Sequence, residues 1–303
     1  MRIMKQFAAV FLFSVIALSA LAQEPPFTIR VESNLVNLLC TVTDRKGRLV
    51  PNLTKDDFII EEDGKRQEIF KFAKENELPL TLAMLLDTSS SVREVLTEEK
   101  ETASAFIRSI LTTRDLAMVI KFDKYAKVVQ DFTEDKRRMN DAIYESVNTG
   151  GGTALYDAVI LAARDHLKME SGRKAMILIS DGQDEGSTHR DKDALFAAQE
   201  SDAVIYAISN SLDKGAFGSG GGGDPGTLRK LSSETGGSAF FIHRSGDFKA
   251  IFDQIADELR TQYSIAYKST NTKRDGKFRL IKVSARDTSL TVRTRKGYYG
   301  PTD

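Results

Sequence analysis

Four stretches of this chain are apolar at almost every position: Leu80 to Leu86, Leu116 to Ile120, Ala175 to Ile179 and Ala203 to Ile208. A strand with one wet face alternates polar and apolar residues, whereas a strand covered on both faces has no reason to, so these runs read as the centre of a sheet sandwiched between helices. The segments between them carry helical spacing, over Glu94 to Leu111, Leu155 to Leu167 and Ala194 to Gln199. A further helix follows the last run, with Phe248, Ile251, Phe252, Ile255 and Leu259 on one face and Ser245 placed to cap its start. Strand and helix in alternation predict an α/β fold, a doubly wound and mostly parallel Rossmann-like sheet with right-handed crossovers. Ala126 to Phe132 lies too soon after Phe122 for a crossover and reads as an antiparallel edge hairpin.

The flanks have a different period. From Phe27 to Phe72 the pattern is β, with turn signals at Lys46-Gly47 and Asp63-Gly64, and Phe58-Ile59-Ile60 and Ile69-Phe70 on either side of the second turn predict a hairpin. After Leu259, Tyr263 to Tyr267, Phe278 to Ala285 and Leu290 to Thr294 are short strands divided by Asp275-Gly276 and Asp287-Thr288. Neither flank is large enough to bury a good core alone. Either both pair into one small β-sandwich with the α/β domain inserted between them, or they form two minor modules. The first arrangement sets the expected organisation: a signal peptide over 1–22, sandwich strands over 23–76, the α/β domain over 77–261, and the remaining strands over 262–303. The Gly-rich stretch Gly215 to Gly226 lacks the Gly-Lys-Ser/Thr ending of a phosphate loop and reads as a flexible connection.

Arg2 and Lys5, the apolar run Phe7 to Leu18 and the small residues of Ala20-Leu21-Ala22 have the order of an export signal cleaved near Ala22. The alternative is an uncleaved anchor, but the run is shorter than the roughly 20 residues a spanning helix needs. The chain is therefore expected outside the cytoplasm: periplasmic, cell-surface or secreted. Its 43 basic and 43 acidic residues balance, which gives no footprint for nucleic acid. Cys40 is the only cysteine, so export here does not mean a disulfide-stapled fold, and its apolar neighbours make it a buried small hydrophobe.

Where the first apolar run stops stands Asp87-Thr88-Ser89-Ser90-Ser91, and two other loops carry Gly151-Gly152-Thr153 and Ser180-Asp181-Gly182. Open α/β sheets bind ligands beyond the carboxyl ends of their strands, where strand order reverses. Asp87 to Ser91 and Asp181 fall on that edge, and Thr153 reaches it from the loop opening the Leu155 helix. The donors are hard oxygens, which suit magnesium with its retained waters, manganese or calcium. His166, His189 and His243 are scattered and no cysteine is near, which disfavours zinc. Each residue also has an ordinary reading: Ser89 and Ser91 end a strand, Thr153 caps a helix, Asp181-Gly182 is a turn. Gln183, Asp184 and Glu185 either line a partner surface or are solvated loop residues. Asp157 is either part of the site or a helix-start charge favoured by the dipole.

In order and placement these residues resemble the von Willebrand factor type A domain and its metal-ion-dependent adhesion site, over roughly residues 77 to 261. The resemblance implies that Ser89, Ser91 and Thr153 bind the cation directly, with Asp87 and Asp181 acting through water and hydrogen bonds. It further implies a protein partner whose exposed Asp or Glu completes the coordination. The flanks Val42 to Phe58 and Asp275 to Tyr299 resemble an exported bacterial subgroup of that family. Two other classes stay open. One is a structural or assembly part with a stabilising cation. The other is a metal-dependent hydrolase using Asp87 as nucleophile, against which Ser89 occupies the place of the usual second carboxylate and no Gly-x-Ser-x-Gly elbow is present. The expectation is a binding protein, not an enzyme, with no small-molecule substrate indicated and its oligomeric state undetermined.

Overall fold

Val36, Leu38, Cys40 and Val42 alternate along the first strand, and all four side chains are buried on one face. The computed structural model describes residues 35–74, 78–89, 96–145, 151–210, 223–243 and 247–302. The export signal, Glu94, Ser91, Ser245 and residues 215–222 of the Gly-rich stretch lie outside them.

Four strands come first: β1 (Leu35–Thr43), β2 (Phe58–Glu62), β3 (Lys65–Gln67) and β4 (Ile69–Lys74). The α/β body follows, with strands β5 (Leu80–Asp87), β6 (Leu116–Phe122), β7 (Ala126–Thr133), β8 (Arg173–Ile179), β9 (Val204–Ser209) and β10 (Ala239–Phe241). Its helices are α1 (Leu96–Ile110), α2 (Lys136–Glu145), α3 (Leu155–Ile160), α4 (Asp191–Glu200), α5 (Pro225–Thr235) and α6 (Asp247–Thr261). The chain closes with β11 (Tyr263–Lys268), β12 (Phe278–Ala285), β13 (Thr291–Arg293) and β14 (Gly297–Tyr299).

Both flanks enter both sheets of one sandwich, whose strand orders are β13-β1-β11-β4 and β14-β12-β2-β3. The inner faces meet through Leu38, Cys40, Phe58, Ile60, Tyr263, Ile265 and Ile281. Burial pushes the Cys40 thiol up to about 12, so it packs as a hydrophobe and is not a nucleophile. One expectation is corrected. Asp63 (φ 48°) and Gly64 (φ 76°) are both left-handed, and such a two-residue turn returns the chain at once, so the second arm of the hairpin is Lys65–Gln67 and not Ile69-Phe70. Ile69 begins the strand that pairs with β11 in the other sheet. Lys65 and Arg66 are exposed and carry no apolar signal, because β3 is an edge strand held by its backbone.

The six-stranded sheet runs β10-β9-β8-β5-β6-β7, parallel except for β7, which pairs antiparallel with β6 as an edge hairpin. Successive β5 side chains go to opposite cores. Leu82, Met84 and Leu86 meet α1 and α6 through Phe106, Ile107 and Phe252, while Ala83 and Leu85 meet α3 and α4 through Leu155, Val159 and Ala197. That division is why the run is apolar throughout. The pattern over Leu155 to Leu167 extends beyond α3 through a widened helical stretch, Leu161–His166.

Two helices escaped the sequence reading. In α2 the buried face is only Met139, Ala142 and Ile143 among charged residues. In α5 the boundary signals were present: Asp224 accepts a hydrogen bond from the Thr227 N–H at 3.1 Å, Pro225 opens the first turn and Gly236 closes it at φ 90°. The expected loop therefore ends sooner than Gly226, because Pro225 and Gly226 belong to α5. Asp224→Ala should cost about 1 kcal/mol, read from urea denaturation.

The outer face of the β1 sheet lies against the end of the body where β8 and β9 begin. Leu39, Ala73 and Ala266 face Lys174 and Val204 there, and the Arg295 guanidinium bridges the two, donating to the Asn37 carbonyl at 2.8 Å and the Gln199 carbonyl at 3.2 Å. Asn34–Asp303 is one compact unit. Among the described residues no helix is long and apolar enough to cross a membrane.

Candidate metal centre

Strand order reverses between β5 and β8, since β5 leads through α1 to a neighbour on one side while β8 and β9 lie on the other. Asp87 ends β5 and Ser180-Asp181 follows β8, so both loops open into the same crevice. Asp87 is wholly buried. Its Oδ2 accepts the Ser180 hydroxyl at 2.7 Å and its Oδ1 accepts the Ser89 N–H at 2.9 Å. The Ser89 hydroxyl also bonds to the Asp87 carboxylate. The Ser180–Asp87 bond ties the two loops together, and Ser180 in turn accepts the Gly182 N–H at 3.1 Å. Thr88 anchors the first loop to the neighbouring strand, donating from N–H and hydroxyl to the Phe122 carbonyl at 2.8 and 3.2 Å.

Asp181 is 3% exposed; its Oδ1 accepts the Gln183 N–H at 2.9 Å, and among the described residues its Oδ2 accepts no hydrogen bond. Thr153 is 5% exposed and held by its backbone alone: its carbonyl accepts the N–H groups of Glu185 and Gly186, each at 3.0 Å. The ordinary reading of Thr153 as a helix cap fails, because the residue before α3 is Ala154 and no side chain at that position caps it. Asp184 does the work instead, accepting the Tyr156 N–H at 3.2 Å. Among the described residues the Thr153 hydroxyl has no hydrogen-bond partner. The structure thus brings Asp87 and Ser89 together with Ser180, beside Asp181, and seats Thr153 on the loop following Asp181.

Of the expected partner rim, Asp184 is occupied at the start of α3, Gln183 is half-buried and Glu185 is exposed. Asp157 lies in a separate knot, accepting the Thr188 N–H at 2.9 Å and meeting the His189 ring at 2.7 Å.

The electrostatics of the crevice are those of uncompensated negative charge. Burial pushes the Asp87 carboxyl up to about 6 against the opposing hydrogen bonds from Ser89 and Ser180, and the charge of Asp181 raises it further. Sequence reasoning missed a third acid. Glu99 is fully buried, pushed up to about 8 by desolvation with Asp87 adding to the rise. Its Oε2 accepts from Asn210 Nδ2 at 3.3 Å, while among the described residues its Oε1 and Asn210 Oδ1 have no partner. The spacing of Glu99 with Ala103, Phe106, Ile107 and Ile110 is the apolar stripe of α1, the signal that could have found it. Ser180 was missed because a serine between a strand and an Asp-Gly turn looks like part of the turn.

Among the described residues no cluster of three or more His, Cys, Asp or Glu is placed to hold a metal. A free Thr153 hydroxyl, a free Asp181 oxygen and a desolvated Asp87 with no basic partner among the described residues fit a hard divalent cation. Glu99→Gln should raise the melting temperature of cation-free protein at pH 9. A carboxyl whose folded pKa is raised destabilises the fold above that pKa, so the gain should fade towards pH 5.

A family model, the von Willebrand factor type A domain, matches residues 81–256. That span is more than half of the chain, and the chain belongs to this family. Among solved structures, proximal thread matrix protein 1 from the mussel byssus is 18% identical with a TM-score of 0.52, covering 66% of this chain and 51% of that one. A second structure of the mussel protein, described as having a zinc-occupied adhesion motif, gives 20% identity and a TM-score of 0.51 over 63% and 48% of the two chains. The protein BatB from Bacteroides thetaiotaomicron is 20% identical with a TM-score of 0.47, over 60% of this chain and 98% of that one. At these identities the likeness is one of fold. No curated protein matches the chain.

Proposed function

We propose that this is an exported binding protein whose α/β domain, residues 77–261, captures a protein partner through a divalent cation. Ser89, Ser91 and Thr153 would hold the ion, with Asp87 and Asp181 behind them, and magnesium is the first candidate, with manganese and calcium next. The cation supplies an electropositive point for an Asp or Glu carboxylate of the partner. This chain's residues do the rest: the Ser180 hydroxyl fixes Asp87, the Gln183 N–H fixes Asp181, and Glu185 and Gly186 fix Thr153. Three neutral hydroxyls leave most of the ion's charge for the partner, which favours recognition over bond breaking.

The observation that carries this reading is the pair of free oxygens on Thr153 and Asp181 beside a desolvated Asp87. The zinc-occupied motif of the mussel protein supports it by analogy of fold. The sandwich of β1 to β4 and β11 to β14 serves as a platform at the far end of the sheet. Selection of a displayed random-peptide library on the immobilised protein in magnesium should enrich peptides with one invariant Asp or Glu. Their capture should vanish in EDTA and in Thr153→Ala. Enrichment that ignores EDTA would overturn the proposal. A melting temperature raised by magnesium with no acidic peptide selected would favour the structural reading.

A further inference from the structure

A second site lies at the opposite end of the sheet. Between the outer face of the β1 sheet and the starts of β8 and β9 is a cavity of about 360 Å3. That volume falls within the roughly 300 to 1,000 Å3 of small-molecule pockets. It exists because the facing residues are small: Ala73, Ser264 and Ala266 come from the sandwich and Gly172 from the α/β body.

Leu39, Val204 and Ala266 give it apolar walls, and five charged residues stand among them: Lys71, Glu170, Lys174, Asp202 and Arg295. Lys174 is 9% exposed, lines the cavity, and among the described residues its ammonium has neither a hydrogen bond nor an ion pair. Burial presses its pKa below the usual range, although Asp202 and Glu170 are near enough to oppose this. Asp202 is already committed to Arg295, which it meets at 2.5 Å, and Arg295 also donates to the Gln199 and Asn37 carbonyls. With that pair cancelled, Lys174 and the exposed Lys71 outweigh Glu170. A desolvated ammonium with no direct ion pair is costly, and an anion in the cavity would relieve it.

We propose that this cleft binds a small amphipathic anion, its carboxylate or sulfonate head on Lys174 and its apolar body along Leu39, Val204 and Ala266. Neither the cation nor the Asp87 crevice takes part.

The probe is 8-anilinonaphthalene-1-sulfonate, titrated by fluorescence into the full chain in EDTA. The expected result is saturable binding of one dye per chain, displaced by octanoate and not by octanol, and unchanged by magnesium. Lys174→Met should raise the dye's Kd about tenfold or more without lowering the melting temperature, since a charge-assisted contact is lost and no partner is orphaned. Ser264→Leu, which fills the space, should weaken binding as well; if it misfolds by circular dichroism, Lys174→Met decides alone. Equal affinity in Lys174→Met, displacement by octanol as readily as by octanoate, or several dyes per chain would overturn the proposal.

Discussion

Gly182→Ala is expected to lose about 3 kcal/mol or more of folding stability and to disable the crevice at the same time. Gly182 has φ 88°, a conformation that an L side chain adopts at a cost of roughly 1 to 3 kcal/mol. A Cβ there would stand 2.2 Å from the Asp224 carbonyl oxygen and 2.9 Å from its carbon. Those atoms are backbone and cannot rotate away, so the clash adds a further ~1 to 3 kcal/mol of overpacking. Relief would require Asp224 to move, yet its N–H is bonded to the Asp181 carbonyl at 2.9 Å and its carboxylate caps α5. A loss under about 1 kcal/mol in urea denaturation would show that the turn is not constrained in this way.

Asp87→Ala is expected to abolish magnesium binding while altering cation-free stability in a pH-dependent way. In the cation-free protein the Asp87 carboxyl has its pKa raised from 3.8 to about 6. For a group with a raised folded pKa, the folded state holds more protons between those values. Stability is therefore greatest at low pH and falls as pH rises through about 4 to about 6. Glu99, raised from 4.5 to about 8, extends the same decline upward. A bound cation reverses the sign for Asp87, because the ionised form is the one that supports it. At pH 5, with a carboxyl of pKa near 6, magnesium affinity should be about tenfold below its plateau. Melting curves in EDTA and in magnesium should coincide near pH 4 and separate above pH 6, by about 2.7 kcal/mol at one hundred times the Kd. In Asp87→Ala the two curves should coincide at every pH. Parallel curves in the unmodified protein would contradict the assignment.

The sheet was legible because burial on both faces leaves its mark residue by residue: Leu82 to Leu86 has no polar position to give away. The flanking strands were legible through Val31 to Val42, an apolar-rich stretch with polar interruptions, and through the turn signals beside them. What was lost had weak or misleading local signals. Lys65–Gln67 forms an edge strand from polar residues, which only its turn geometry implies. Pro225–Thr235 begins in a Gly-rich context that hid an Asp-Pro helix start. In the crevice, Asp87, Thr153 and Asp181 could be read from loop position, but Ser180 and Asn210 could not, because their roles depend on which strands are neighbours. Glu99 was readable in principle, as an acid on the apolar stripe of α1.

Thr153 tests the proposed hydroxyl ligation most directly, since its backbone holds its loop and its side chain bonds nothing among the described residues. Calorimetric titration of magnesium into the purified protein at pH 7.5 should show one site. Thr153→Ala should weaken it at least about tenfold while leaving the melting temperature in EDTA unchanged. Equal magnesium affinity in the two proteins, or no binding to the unmodified protein at millimolar-range magnesium, would contradict the central claim.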